Sequence, residues 1–196
     1  MKSVLISIQP RWCELIASGK KTVEVRKTRP KIDTPFKCYI YCTEGDALAY
    51  PCLNNPHFAI HKMITSHSLY GRRLTKKERE ESDYTFANGK VIGEFLCDHI
   101  MRHCEMANAD IAEQQSKVKR EKILEYANGN EVYGWHISDL VIYEKPRELG
   151  EFRKYIGIFD GATEKELEEL GILDARIKRP PQSWCYVETT EKGGAE

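Results

Sequence analysis

Apolar and polar positions along the chain alternate in a way that marks its strands before anything else is known. Residues 3–8 (SVLISI) form a short run of apolar and β-branched side chains, which predicts a buried strand. Gln9-Pro10 then opens a short helix, with proline in the first turn where its missing N–H costs nothing. Trp12, Leu15 and Ile16 fall at i, i+3 and i+4 and give that helix one apolar face, and Gly19 stands where a helix often ends in a left-handed residue. Residues 22–27 (TVEVRK) alternate with period two, so Val23 and Val25 share one face and Thr22, Glu24 and Arg26 the other. The valine face is expected to meet the core. A third strand is predicted over 36–42 (FKCYIYC), with Phe36, Cys38, Ile40 and Cys42 opposed to Tyr39 and Tyr41.

Periodicity fails from 44 to 88, where Pro51, Asn54-Asn55-Pro56 and the charged stretch RRLTKKERE suggest a partly helical insertion. It returns at Gly89, where 89–104 reads as a long strand with a kink or bulge at Gly93. Residues 110–127 read as one helix ending at Asn128-Gly129, and 134–146 as a strand carrying Ile137, Leu140 and Val141 into the core. A short helix is expected over 147–152. A second, over 163–170, has Thr163 and Glu166 spaced as a capping box. Residues 182–188 (QSWCYVE) read as a closing strand and 189–196 as a flexible tail. Strands interleaved with short helices imply an α+β domain with a closed or strongly curled sheet. The expected division is one domain over 1–188 and the tail.

Composition narrows the class. The chain has 196 residues, 41% apolar and 31% charged, without an apolar run near the roughly 20 residues that cross a bilayer. The N-terminus lacks the pattern of a secretory signal, so a cytoplasmic location and no membrane association are expected. The seven cysteines, Cys13, Cys38, Cys42, Cys52, Cys97, Cys104 and Cys185, are irregularly spaced and read as reduced thiols. Net charge is zero, but residues 1–40 carry nine Lys or Arg against three acids, and a local basic face is expected there.

No phosphate-binding, dinucleotide, serine-hydrolase or zincin motif occurs in the chain. Cys52, His57 and His61, with Cys97, His99, His103 and Cys104, resemble two halves of a zinc site only weakly. No CxxC is present and strand alternation turns neighbours apart, so neither metal nor cofactor is expected. His136 is read as a strand histidine satisfying a backbone group. The basic clusters around Arg72-Arg73 and Lys117–Lys122 are mixed with glutamates and read as solvated helix faces.

The most specific segment is Gly19-Lys20-Lys21-Thr22-Val23-Glu24-Val25-Arg26. With Ile8-Gln9-Pro10 before it, and GKVIGEF, YGWHISDL and QSWCYVE after it, it resembles the GxKxxExR signature of the ASCH domain family. That resemblance implies a PUA-like β-barrel of the ASCH type with peripheral helices and helical insertions, and a cleft that holds RNA or a modified nucleoside. Lys21, Thr22, Glu24 and Arg26 would form its wall and Trp12 and Trp135 offer planes for a base. The family also includes enzymes that hydrolyse N4-acetylcytidine with a lysine, a threonine and a glutamate. Here Lys21 matches the lysine, but Glu24 stands at the threonine position. Thr22 would have to replace the threonine, or Glu24 would have to act as a base beside Lys21, with Glu105, Glu113 or Glu121 as candidates for the distant glutamate. RNA or modified-nucleoside binding is the first expectation. The others are an amidohydrolase or nuclease in the same cleft, and an adaptor that binds a protein partner through the 44–88 insertion.

Overall fold

In the computed structural model the described residues are 2–45, 48–50, 64–65, 74–82, 85–102, 109–155, 164–171 and 174–189. Their elements in chain order are β1 (Lys2–Ile8), α1 (Pro10–Ala17), β2 (Val23–Arg26), β3 (Phe36–Cys42), β4 (Leu48–Tyr50), β5 (Ile64–Thr65), α2 (Lys76–Glu80), β6 (Thr85–Phe86), β7 (Lys90–Cys97) and β8 (Ile100–Met101). There follow α3 (Ala109–Ser116), α4 (Arg120–Ala127), β9 (Tyr133–His136), β10 (Ser138–Glu148), a 3-10 turn (Leu149–Glu151), α5 (Glu164–Glu169) and β11 (Trp184–Glu188).

The mixed α+β class is as expected. Five strands in the order β10-β7-β3-β1-β11 make the main sheet, with β1 and β3 parallel and the other pairs antiparallel. Apolar side chains cover both faces. Val4, Ile6 and Ile8 of β1 point with Cys38, Ile40, Ile92 and Phe95 towards α1 and Trp135, while Leu5, Tyr39 and Val91 pack under Phe152 and Ile177. Each fully buried Val, Leu or Ile contributes about 1.5–3 kcal/mol, so β1, with four at 1% exposure or less, anchors the fold.

A second sheet, β2-β9-β8, is joined to the first by bent strands. β7 runs through Asp98-His99 into β8, and β9 returns through Ile137 into β10, so the strand expected over 134–146 is divided at the corner between sheets. Among the described residues the pairings give separate sheets and do not close a barrel. Gly93 allows β7 and β10 to approach: a Cβ there would lie 2.4 Å from the Val141 carbonyl oxygen, and register shifts flank it on both neighbouring strands.

Two further expectations change. The helix expected over 110–127 is two helices, because Lys117 takes a left-handed conformation (φ 58°) and the Val118 N–H donates to Ser116 Oγ at 3.2 Å. Within the 44–88 insertion, β4 pairs with both β5 and β6, a small sheet whose two- and three-residue strands are too short to show a period. The capped helix α2 is also described there. Residues 46–47, 51–63, 66–73 and 83–84 of the insertion and 190–196 of the tail lie outside the described residues, as does Thr163 of the expected capping box. No helix among the described residues is long and apolar enough to cross a membrane.

Candidate functional site

The site begins with the turn that ends α1. Gly19 takes φ +70°, and the amides of both Lys20 and Lys21 fold back onto the Leu15 carbonyl at 2.9 Å. This fixes Lys21 at the entrance to β2. Along β2, Val23 faces Ala112, Ile123 and Ala127 of the α3-α4 layer and Val132 just before β9, with Val25 packed against that cluster. Glu24 and Arg26 are thereby turned to the other side, and they too are covered, at 6% and 9% exposure, with Lys21 at 2%. The polar face of the strand is thus an interior face.

These three side chains form one buried cluster. Lys21 Nζ lies 3.2 Å from one carboxylate oxygen of Glu24, and Arg26 Nη2 lies 2.9 Å from the other. Lys21 also donates to the carbonyls of Val23 and Ser116, both at 2.8 Å, and Arg26 Nη2 to the Ser7 carbonyl at 2.6 Å. Burial pulls the Lys21 ammonium below the ordinary lysine range and Glu24 opposes the shift. Three acceptors surround its three hydrogens, so loss of a proton would set a lone pair against one of them. The geometry favours the ammonium, a fixed positive charge rather than a base. The Ser116 carbonyl is the negative end of α3, exposed by the helix break at Lys117.

Arg26 retains spare donor capacity. Its Nη1 makes only a long contact of 3.4 Å with Ser183 Oγ, while Nε is fully buried without a hydrogen-bond partner. With one carboxylate between two cations, the cluster carries a net positive charge into a cavity of about 430 Å³ that Lys21, Glu24 and Arg26 line. That volume lies within the ~300–1,000 Å³ usual for small-molecule sites. Trp12 lines the cavity with Arg11 stacked 4.0 Å from its ring centre and Lys21 5.1 Å from it. Gln9 and Gln182 add amide groups that can both donate and accept.

Not every expected residue reaches this cavity. Trp135 does not: it is fully buried, 5.9 Å from both Phe36 (ring planes at 82°) and Trp184, and its indole N–H has no partner. Its face is occupied by core side chains, a correction to its reading as a stacking platform. Thr22 is half-buried outside the cavity lining, its backbone bonded to Gln115 and Ile137. His136 turns away to pair with Asp98 at 2.7 Å, and this bond holds the Asp98 carboxyl below the usual range. Glu113 accepts the Arg120 N–H at 2.5 Å and Glu121 is exposed on α4. Neither lines the cavity, and Glu105 lies outside the described residues.

Of the zinc-like halves, Cys52, His57, His61, His103 and Cys104 lie outside the described residues. Among the described residues no three His, Cys, Asp or Glu side chains converge as a metal site. Among the lining residues that sequence reasoning missed are Lys122 and Tyr126 of α4. Their i, i+4 spacing was the available signal, but only the docking of Ile123 and Ala127 against Val23 brings that helix over the cleft.

No family model matches this sequence. A curated relative, an ASCH domain-containing ribonuclease of Zymomonas mobilis, is 32% identical over 104 residues, which span 50% of this chain and 66% of the relative, just under two thirds of its length. Among solved structures, ASCH from Zymomonas mobilis superposes with a TM-score of 0.50 at 16% identity, covering 95% of this chain and 87% of that one. A single-substitution variant of the Zymomonas protein gives the same score and identity over 96% and 91%. At that identity the structural likeness speaks for the fold alone.

Proposed function

This chain belongs to the ASCH domain family, and on that premise we propose that it binds RNA by seating one unpaired base in the cleft beside β2. The observation that carries this reading is the buried Lys21-Glu24-Arg26 cluster on the wall of a nucleotide-sized cavity, with Trp12 among its lining. Arg26 supplies donors for a base carbonyl or a phosphate oxygen. Glu24, with lone pairs left on both oxygens, accepts from an exocyclic amine, and Trp12 offers a π-face. The net positive charge of the cluster favours an anionic ligand, and ASCH domains include a ribonuclease, which makes RNA the ligand of choice over a neutral metabolite.

Fluorescence anisotropy with a labelled single-stranded RNA octamer of mixed sequence tests this. The wild-type protein is expected to bind, Trp12→Ala to weaken binding about five- to tenfold, and Arg26→Gln to weaken it further. Absence of binding by the wild type, or equal binding by all three proteins, would overturn the reading.

A ribonuclease activity in the same cleft is the second reading, favoured by the activity named for the relative. It predicts that the octamer is cut, and that Arg26→Gln slows cutting more than it weakens binding, because a guanidinium facing the scissile phosphate acts mainly on the charge developed in the transition state. Hydrolysis of an acylated nucleoside such as N4-acetylcytidine has less support, because Lys21 is surrounded by acceptors and Thr22 is absent from the cavity lining. Acetate release from that nucleoside is the corresponding assay. The adaptor reading rests on the 44–88 insertion alone and is tested by whether a deletion there changes RNA binding.

A further inference from the structure

We propose that the RNA does not end at the cleft but runs out over α4, with the base next to the seated one stacked on Tyr126 and its phosphate held by Lys27 and Lys122. This rests on the reading of the cleft as an RNA site and extends it to the substrate class: a single strand of at least two nucleotides, as against a free nucleoside or a duplex.

Tyr126 is a large aromatic side chain left 42% exposed, and it belongs to the cavity lining at the same time. Ile123 and Ala127 of the same helix are buried against Val23, so α4 is pinned to β2 and its outer side is held at a fixed distance from the buried cluster. Lys122 stands one turn before Tyr126 on the same side of α4 and lines the cavity too.

Beyond the mouth, Lys122 and Tyr126 continue into a shallow depression shared with Lys27, Glu125 and Asn128. Lys27 directly follows Arg26 at the end of β2, and its ammonium sits 4.9 Å from the centre of the Tyr126 ring. One aromatic plane and two exposed lysines are therefore continuous with a cavity sized for one base.

Glu125 is the one carboxylate in that depression and pairs with Lys122 at 2.6 Å. Both partners of that pair are about two thirds exposed, so the contact is weak and a phosphate can replace it. The lip keeps a positive balance, two lysines against one glutamate. An aromatic plane beside two cations suits successive bases and phosphates of a single strand. A duplex hides its base faces within the stack, and a lone nucleoside would leave this lip without a role.

The test compares the RNA octamer with a single nucleotide, cytidine monophosphate, on the wild type, Tyr126→Ala, Tyr126→Phe and the Lys27→Ala/Lys122→Ala double variant. For the octamer, Tyr126→Ala is expected to weaken binding roughly tenfold and Tyr126→Phe to restore it. The lysine double variant should lower the slope of log affinity against log salt by about one to two. Cytidine monophosphate, which fills only the cavity that Tyr126 borders, should lose clearly less affinity in Tyr126→Ala than the octamer does, and an equal loss for both probes would overturn the path over α4. Octamer binding unchanged in Tyr126→Ala, while Arg26→Gln still weakens it, would overturn the path over α4 and leave the cleft reading standing. A wild type that binds neither probe would overturn both. Tyr126, Lys27 and Lys122 are exposed, and thermal unfolding curves matching the wild type, recorded for every variant including the buried Arg26→Gln, would confirm that a loss is not one of folding.

Discussion

Two buried carboxylates in this molecule are built alike and teach different things. Glu24 lies between Lys21 and Arg26, and Glu94 lies between Lys37, at 2.9 Å, and the Tyr143 hydroxyl, at 2.7 Å. Glu94, Lys37 and Tyr143 come from three adjacent strands of the main sheet, β7, β3 and β10, so their contacts form a rung across strands already joined by backbone hydrogen bonds. The Glu24 cluster instead ties the end of α1, β1, β2 and α3 together, through carbonyls that belong to different layers, and opens on a cavity. A carboxylate that only braces a sheet is satisfied within it. One that holds two cations at a cavity wall leaves a donor only weakly engaged, as the long Arg26 Nη1 contact with Ser183 shows.

Removing each carboxylate separates the two roles most sharply. Glu24→Ala leaves two cations buried with no counter-charge and is expected to cost about 3–5 kcal/mol of stability. Glu94→Ala, whose lysine partner is more exposed, should cost about 1–3 kcal/mol, both read from urea unfolding. Equal costs would erase the distinction. Among the tryptophans, Trp135→Ala should lose about 3–5 kcal/mol as an emptied core site, with no effect on RNA affinity beyond that of partial unfolding. Trp12→Ala should behave in the opposite way, with stability nearly kept and affinity reduced.

Gly93→Ala puts a methyl group against the Val141 carbonyl of the main sheet and should cost about 1–3 kcal/mol while RNA affinity holds, since the β2 cleft does not include this contact. The smallest effect concerns pH. Burial raises the thiols of Cys13 and Cys38, and that of Cys97 to about 12. A raised folded-state value means that stability is complete below the ordinary thiol range and is lost as pH climbs through the folded values. Unfolding midpoints should therefore decline from about pH 9 upward, and Cys97→Ala should flatten that decline slightly.

Much of this arrangement is legible from alternation alone. Period two marks β2 and β3, an unbroken apolar run marks β1, and the glycines at 19 and 93 mark the turn and the close strand approach that the structure contains. Periodicity says which side chains share a face, but not which face meets what. On β2 both faces are covered, so the valine side meets helices and the Glu24-Arg26 side meets the cavity. Trp135 shows the same limit, since its strand is plain from the sequence and its inward direction is set by pairing with Glu24 across β2 and β9. The break at Lys117 carries no glycine or proline to announce it, yet it frees the Ser116 carbonyl that holds Lys21.

Photocrosslinking tests the central claim most directly: an RNA octamer carrying one 4-thiouridine is irradiated on the wild-type protein and the adducts are mapped by peptide mass spectrometry. Adducts on the peptide that contains Trp12, or on the one that contains Tyr126, are the predicted result. Adducts confined to peptides of the main sheet that take no part in the cleft, such as the one carrying Tyr143, would contradict the claim.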